Sequence, residues 1–454
     1  MEAVPASDLV PLRPLGNLEK YSTTRSHLGI YLNVGLTARY KRPSGAPVKP
    51  ALFRALSILI SKHPILSAIP AAIETPNPYW VRLPQITLCE VVKFDEDNAY
   101  SRGSSAREYL DDVIEEQHNR PFERSLSQIL PFWRICVVER SELPIDFDLV
   151  FIFHHSLMDT KSAMSFHEEL ERYMAEDDGS DLVIDVVETP PMPLLPSLEE
   201  LYTLAVSEEF AGSQEMPSMP VPDSWTAAPQ TVPVKTCFSS LWLSTAQSRK
   251  LKNMSRKEKT SVTAALQTLI AASLFSVLPL RYHTLQTECA VSLRRFLQDP
   301  VTGTSLGCYV GTLSIPYSRI PSFTWSEARR TKEIIEQVIA KKGGDMPVGY
   351  LQHVPNMHQW MLRKLGHTRA SGFELSNVGR VSDPQGGYRF EIQGMLFSQS
   401  SSACSAAIKV SAVTGRDGRS VLGFTWQEGI VESDMIEQIK EALQAQVEGL
   451  TMER

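Results

Sequence analysis

Between Val48 and His63 the apolar residues Leu52, Leu56, Leu59 and Ile60 recur three and four apart until Pro64. That spacing predicts a helix ended by proline. Ahead of it, a turn-rich leading loop passes into alternating apolar positions over residues 30–40, which predict a first strand. Apolar runs at 80–83, 88–94, 133–138 and 147–153 predict further strands, with a helix over 106–117. Beyond them, Pro217, Pro220, Pro222, Pro229 and Pro233 break every periodic pattern, so residues 206–235 read as a crossover linker. The mixture then repeats. A strand is predicted near 238–243, a long apolar helix after Thr260, strands near 289–293 and 309–315, and helices near 325–341 and 355–365. Strands dominate 373–431, and an amphipathic helix covers 433–446. The pattern is mixed α and β in two halves, 1–205 and 236–454, alike in element content but without a sequence repeat.

A chain of 454 residues exceeds what one hydrophobic core usually organises, which fits two domains. With 43% hydrophobic and 21% charged residues, it folds without staples. A formal charge of -7 argues against nucleic acid as a partner, because phosphate tracking needs clustered Lys and Arg. The six cysteines (Cys89, Cys136, Cys237, Cys289, Cys308, Cys404) show no CxxC spacing and are expected reduced and buried. Met1 and Glu2 do not open a secretory signal, so a cytoplasmic protein is expected. The segment 261–280 approaches membrane-spanning length, but Gln267, its Ser and Thr residues and Pro279 suit a buried core helix. No transmembrane segment is expected.

The run FDLVFIFHHSLMDT (147–160) is the most informative stretch. An almost wholly apolar strand delivers His154, His155 and Asp159 to the start of a helix whose Ala163, Phe166, Leu170, Tyr173 and Met174 share one face. An imidazole there could take a proton from an attacking hydroxyl or amine and return it to the leaving group. Equally, Asp159 could simply cap the helix, with the histidines as polar residues at a strand end. Adjacent strand residues point to opposite faces, which disfavours one metal ion between His154 and His155. A Ser-His-Asp hydrolase is disfavoured by the lack of a G-x-S-x-G elbow.

HHSLMDT resembles the HHxxxDG signature of the chloramphenicol acetyltransferase-like superfamily, which includes condensation domains and alcohol acyltransferases. Around it, RPLGNLEKYSTTRSHLGIYLNV, VSLRRFL (291–297), LGCYVGTL (306–313), FELSNVGRV (373–381) and FSQSSSACSAA with FTWQEGIV look like the fungal and yeast alcohol acetyltransferase family, in order over residues 11–431. The resemblance implies an α/β fold of two chloramphenicol acetyltransferase-like subdomains forming a V-shaped cleft with a central tunnel. It implies His155 as general base, His154 as an orienting residue, and a structural ion pair of Asp159 with Arg294, Arg295 being the rival. Less firmly, it brings Thr312, Ser376, Asn377 and Ser400 to the oxyanion or cleft positions. Acyl-CoA or a carrier-protein thioester is implied as donor, a small-molecule alcohol or amine as acceptor, with no bound cofactor or metal, in a monomer of fungal secondary metabolism.

Two departures stand out. Thr160 replaces the motif's final glycine, and Gly311 stands where relatives often carry a polar residue. They leave room for a thioesterase or esterase, for a condensation or cyclisation catalyst, and for a non-catalytic binding module. The basic run Arg249, Lys250, Lys252, Arg256, Lys257 and Lys259 fits either coenzyme A phosphates or a solvated helix face.

Overall fold

The computed structural model describes residues 9–44, 46–95, 105–122, 129–139, 146–176, 184–215, 221–229, 231–384 and 386–452. In the first half, helix α1 (Asn17–His27) precedes strand β1 (Val34–Lys41), helix α2 (Val48–Lys62), strand β2 (Val92–Asp95), helix α3 (Ala106–His118), strands β3 (Trp133–Glu139) and β4 (Asp146–Phe153), and helix α4 (Thr160–Ala175). The second half runs β5 (Thr236–Trp242), α5 (Thr245–Lys257), α6 (Val262–Val277), β6 (Thr284–Ser292), β7 (Val310–Ser318), α7 (Trp325–Ala340), β8 (Phe373–Arg380), β9 (Glu391–Gln399), β10 (Ile408–Thr414), β11 (Ser420–Gln427) and α8 (Ser433–Met452).

Two principal sheets result, ordered β9-β1-β4-β3-β2 and β5-β11-β10-β8-β6-β7. Helices α2 and α4 bury Leu52, Leu56 and Phe166 against the first sheet, and α6 lies buried in the second core. No single described helix is long and apolar enough to cross a membrane, although α5 and α6, bent by 108°, pass that test as a pair by length and composition.

The second half does not keep to its own sheet. Strand β9 pairs antiparallel with β1, with Ser398 opposite Gly35 and Gln399 opposite Val34. The stretch 236–454 therefore contributes one strand to the first sheet. Close approach of the sheets is permitted by Gly423 on β11, where a Cβ would stand 2.6 Å from the Phe397 carbonyl oxygen of β9. A second seam covers edge strand β5. The Thr236, Phe238 and Ser240 amides donate to Asn119 (2.8 Å), Glu115 (2.8 Å) and Asp111 (2.9 Å), which follow one another at four-residue spacing along α3 and its C-cap. These side chains occupy the N–H groups that an open edge would present to another chain.

Several expectations need correction. The first strand starts at Val34, because the Leu32 and Asn33 amides are taken by the Ser400 hydroxyl instead of a strand partner. Residues 88–94 split into a short helix, Leu88–Val91, and β2. The helix expected over 355–365 is Met357–Leu362, capped by Asn356. The leading loop contains α1, and the crossover contains the helix Glu208–Glu215. Pro217 and Pro220 lie outside the described residues. All six cysteines are free, but only Cys289 and Cys308 are buried; Cys89 is exposed, its thiol against Asp185.

Candidate active site

Strand β4 is central in the first sheet and buried on both faces, which explains its unbroken apolar run. Its end is pinned where the His154 amide donates to the Phe132 carbonyl (2.9 Å). Asp159 then caps α4, its Oδ1 accepting from the Ser162 amide at 3.0 Å. Farther along α4, Glu171 accepts from the Ile392 amide (2.7 Å) and pairs with Arg416 (2.8 Å), tying the helix to β9 and to the β10–β11 turn.

The histidines differ in tautomer and setting. His154 Nδ1 accepts from the Ser156 amide (3.1 Å), and its ring packs against Phe132 with centres 5.3 Å apart. It is buried, and that burial, with the neighbouring His155 and Arg25, pulls its pKa down to about 3. His155 is half-buried, with Nδ1 3.1 Å from the Met158 carbonyl oxygen. A carbonyl can only accept, so Nδ1 carries the proton and Nε2 keeps its lone pair. Among the described residues nothing hydrogen-bonds that Nε2. Burial and the Arg25 guanidinium pull the His155 pKa to about 4, against the opposing effect of Asp159. Cys308 places its sulfur 3.7 Å from Nδ1, but burial raises that thiol well above its ordinary range, keeping it protonated.

Asp159 does not touch His155. Its Oδ2 receives Arg294 Nη1 at 2.5 Å and the Tyr309 amide at 3.0 Å. Arg294 Nη2 also donates to the Ser162 hydroxyl (2.7 Å) and to the Ser305 and Gly307 carbonyls, both at 3.2 Å. Burial raises the Asp159 pKa, but the Arg294 charge and these hydrogen bonds outweigh it and hold the carboxyl below its usual value. The pair links the motif to the segment after β6; Arg295 points to solvent. At Gly307 a Cβ would fall 2.5 Å from the Tyr309 ring, so any larger residue there would have to displace that ring. Thr160 opens α4 without a left-handed backbone angle, so nothing there demands the motif's glycine.

The other expected residues differ in setting. Thr312 and Ser376 are half-buried on β7 and β8, with side chains alternating away from the second core. Asn377 is occupied elsewhere, donating to Thr263 (3.1 Å) and accepting from the Gly379 amide (3.0 Å). Ser400 is buried and accepts the Leu32 and Asn33 amides, so it anchors a loop instead of facing an oxyanion. Gly311 faces Met346 and Val348. Arg249, Lys252, Arg256, Lys257 and Lys259 lie exposed on or just past α5, as a solvated face does. A cavity of about 160 Å³ lined by Phe122, Phe132 and Cys136 opens near His154 and is not lined by His155.

Arg25, on α1, and a polar row across the second sheet carry no periodic pattern that marks them in the sequence. Across the second sheet Ser314, Glu288, Glu374 and Lys409 stand in register, and Lys409 pairs with Glu374 at 2.6 Å. Lys409 also lies 5.4 Å from the Tyr31 ring centre, itself 6.1 Å from that of His155. The signal available was the polar composition of 17–27 in a segment destined for burial.

Residues 14–438 match a family described as alcohol acetyltransferase. A probable alcohol acetyltransferase, crmB, of Aspergillus fumigatus is 33% identical, covering 94% of this chain and 97% of its own length. A probable alcohol acetyltransferase, FCK4, of Fusarium pseudograminearum is 23% identical, covering 97% and 95%. Among solved structures, the TRI3 trichothecene 15-O-acetyltransferase of Fusarium sporotrichioides superposes with a TM-score of 0.71 at 11% identity, covering 99% of this chain and 98% of that one. The first condensation domain of the calcium-dependent antibiotic synthetase gives 0.62 at 11% identity, covering 97% of each. The fold is thus that of the two-subdomain condensation and acetyltransferase proteins.

Proposed function

Since the chain belongs to the alcohol acetyltransferase family and is an O-acyltransferase, we propose that it moves an acyl group, acetyl in the first instance, from a coenzyme A thioester to a small-molecule alcohol, with His155 as the general base. The observation that carries this reading is the Nδ1 hydrogen bond to Met158, which leaves the lone pair of the imidazole at Nε2. Nε2 takes the hydroxyl proton as the acceptor oxygen bonds to the thioester carbonyl carbon. When the tetrahedral intermediate collapses, the carbon–sulfur bond breaks and the same proton passes from Nε2 to the departing thiolate. One imidazole serves both steps, so no second acid is required. Asp159 and Arg294 act through position, holding the strand end and the helix start in register. The trichothecene acetyltransferase likeness supports an acceptor from small-molecule biosynthesis and favours fungal secondary metabolism as the setting.

The test is His155→Ala, assayed by mass spectrometry for ester formation from acetyl-CoA and a panel of alcohols, with circular dichroism to verify the fold. Positioned general bases typically contribute about 10²–10⁴-fold, so a loss of that size is expected. Ester formation at the parent rate by a folded variant would refute the assignment.

A further inference from the structure

The mechanism above makes no use of Arg25, in the last turn of α1. Its side chain is enclosed, with the residue 9% exposed, yet its guanidinium has neither hydrogen bond nor ion pair with any described residue, and Nε is fully buried without a partner. What holds it is stacking: its Cζ lies 4.1 Å from the Tyr31 ring centre and 4.6 Å from that of Tyr21. Tyr31 is in turn the ring beside His155. Three residues back on the same helical stripe, the Ser22 hydroxyl is buried and also without a partner.

The two carboxylates whose charge reaches Tyr21 make no hydrogen bond to Arg25. Glu374 is closed by Lys409 at 2.6 Å, and Glu288 accepts from the Ser371 hydroxyl at 3.1 Å. A buried cation with no carboxylate in contact is costly to keep, and a planar guanidinium is shaped to receive a carboxylate on two parallel hydrogen bonds. Two tyrosines fix its plane in advance, so little ordering remains to be done when such a group arrives.

We propose that Arg25, with the Ser22 hydroxyl beneath it, binds a carboxylate of the acceptor, so that the preferred acceptor is a hydroxy acid whose alcohol reaches His155 while its carboxylate sits on the guanidinium. The proposal rests on acyl transfer at His155. It deepens that reading by naming the acceptor's chemical class. Phosphates of coenzyme A are a poorer fit for the same anion site, because the pantetheine arm holds them far from the thioester carbon, whereas Arg25 is one tyrosine ring from the base.

Two measurements test it independently. First, calorimetry on the His155→Ala protein with short- to medium-chain β-hydroxy acids, each beside its methyl ester, reads binding without turnover. The acids are expected to bind and the esters to bind about 100-fold more weakly, the loss typical of an unpaired buried charge contact. Equal binding of acid and ester, or no binding of any acid, overturns the proposal whatever the catalytic result. Second, the parent enzyme and the Arg25→Met and Arg25→Lys variants are compared with acetyl-CoA as donor. Arg25→Met is expected to cost about 100-fold in kcat/KM for acids, carried by KM, and so to erase the preference for acid over ester; Arg25→Lys is expected to retain part of that preference. Loss of kcat alike for acids and esters would instead make Arg25 a stabiliser of the intermediate. A change in preference between acetyl-CoA and acetyl-pantetheine would assign the anion to the donor. Either result overturns the proposal. Carboxylate binding without any esterification would leave the anion site standing and defeat acyl transfer; esterification of neutral alcohols without carboxylate binding would do the reverse.

Discussion

Asp159 divides its oxygens between two tasks. Oδ1 caps α4 through the Ser162 amide, and Oδ2 neutralises Arg294, whose side chain is only 8% exposed. Replacement by Asn keeps the cap but removes the counter-charge of a buried guanidinium. Asp159→Asn is therefore expected to lower unfolding free energy by about 3–5 kcal/mol, read from urea denaturation, the usual cost of orphaning one partner of a buried pair. A loss below about 1 kcal/mol would show that Ser162 and the two carbonyls alone satisfy Arg294. At this scale the sequence was informative where one residue acts on a neighbour in the motif, as with the Asp159 cap. The partner Arg294 came only from family likeness, because a contact spanning 135 positions leaves no local pattern. Asn377 and Ser400 were misread for a related reason. Their polar atoms are consumed by Thr263, Gly379, Leu32 and Asn33, which only the folded chain brings to them.

Among the elements, β4 and α4 were legible because one is continuously apolar and the other amphipathic. Helix α1 was not, since its buried face carries Ser22, Thr23, Thr24 and Arg25 instead of an apolar stripe. It packs where polar side chains from both halves converge, and hydrophobic periodicity is blind to such a surface. The cover of β5 by α3 was equally silent, although Asp111, Glu115 and Asn119 sit at regular helical spacing. Asn119 both accepts from the Thr236 amide and donates to its carbonyl. Asn119→Ala is expected to cost about 1–3 kcal/mol by leaving the amide and carbonyl of buried Thr236 unmatched on that side. Hydrogen exchange at the Thr236 amide should quicken in step. Unchanged protection there would mean that α3 does not secure this edge.

For the whole molecule, the decisive feature is the return of β9 to the first sheet, which ties residues 391–399 to 34–41 and draws the loop bearing Ser400 against the segment before β1. Hydrophobic alternation identified strands over 373–431, yet it carries no record of which sheet a strand joins. This arrangement, with the Asp159–Arg294 pair, holds His155 and Tyr31 together beside the cationic side chains Arg25 and Lys409. Burial and the Arg25 charge pull the His155 pKa to about 4, so the imidazole is already neutral over the whole physiological range. The base is competent above that pKa and is lost as pH falls through it. The most direct measurement is the pH dependence of kcat/KM, which reports the free enzyme's essential base, taken by brief pH-jump assays with the fold monitored by fluorescence. The plateau is expected to persist below pH 6, with an acid limb at about 4. An acid limb at the ordinary imidazole value of about 6.5, or none at all, would contradict it.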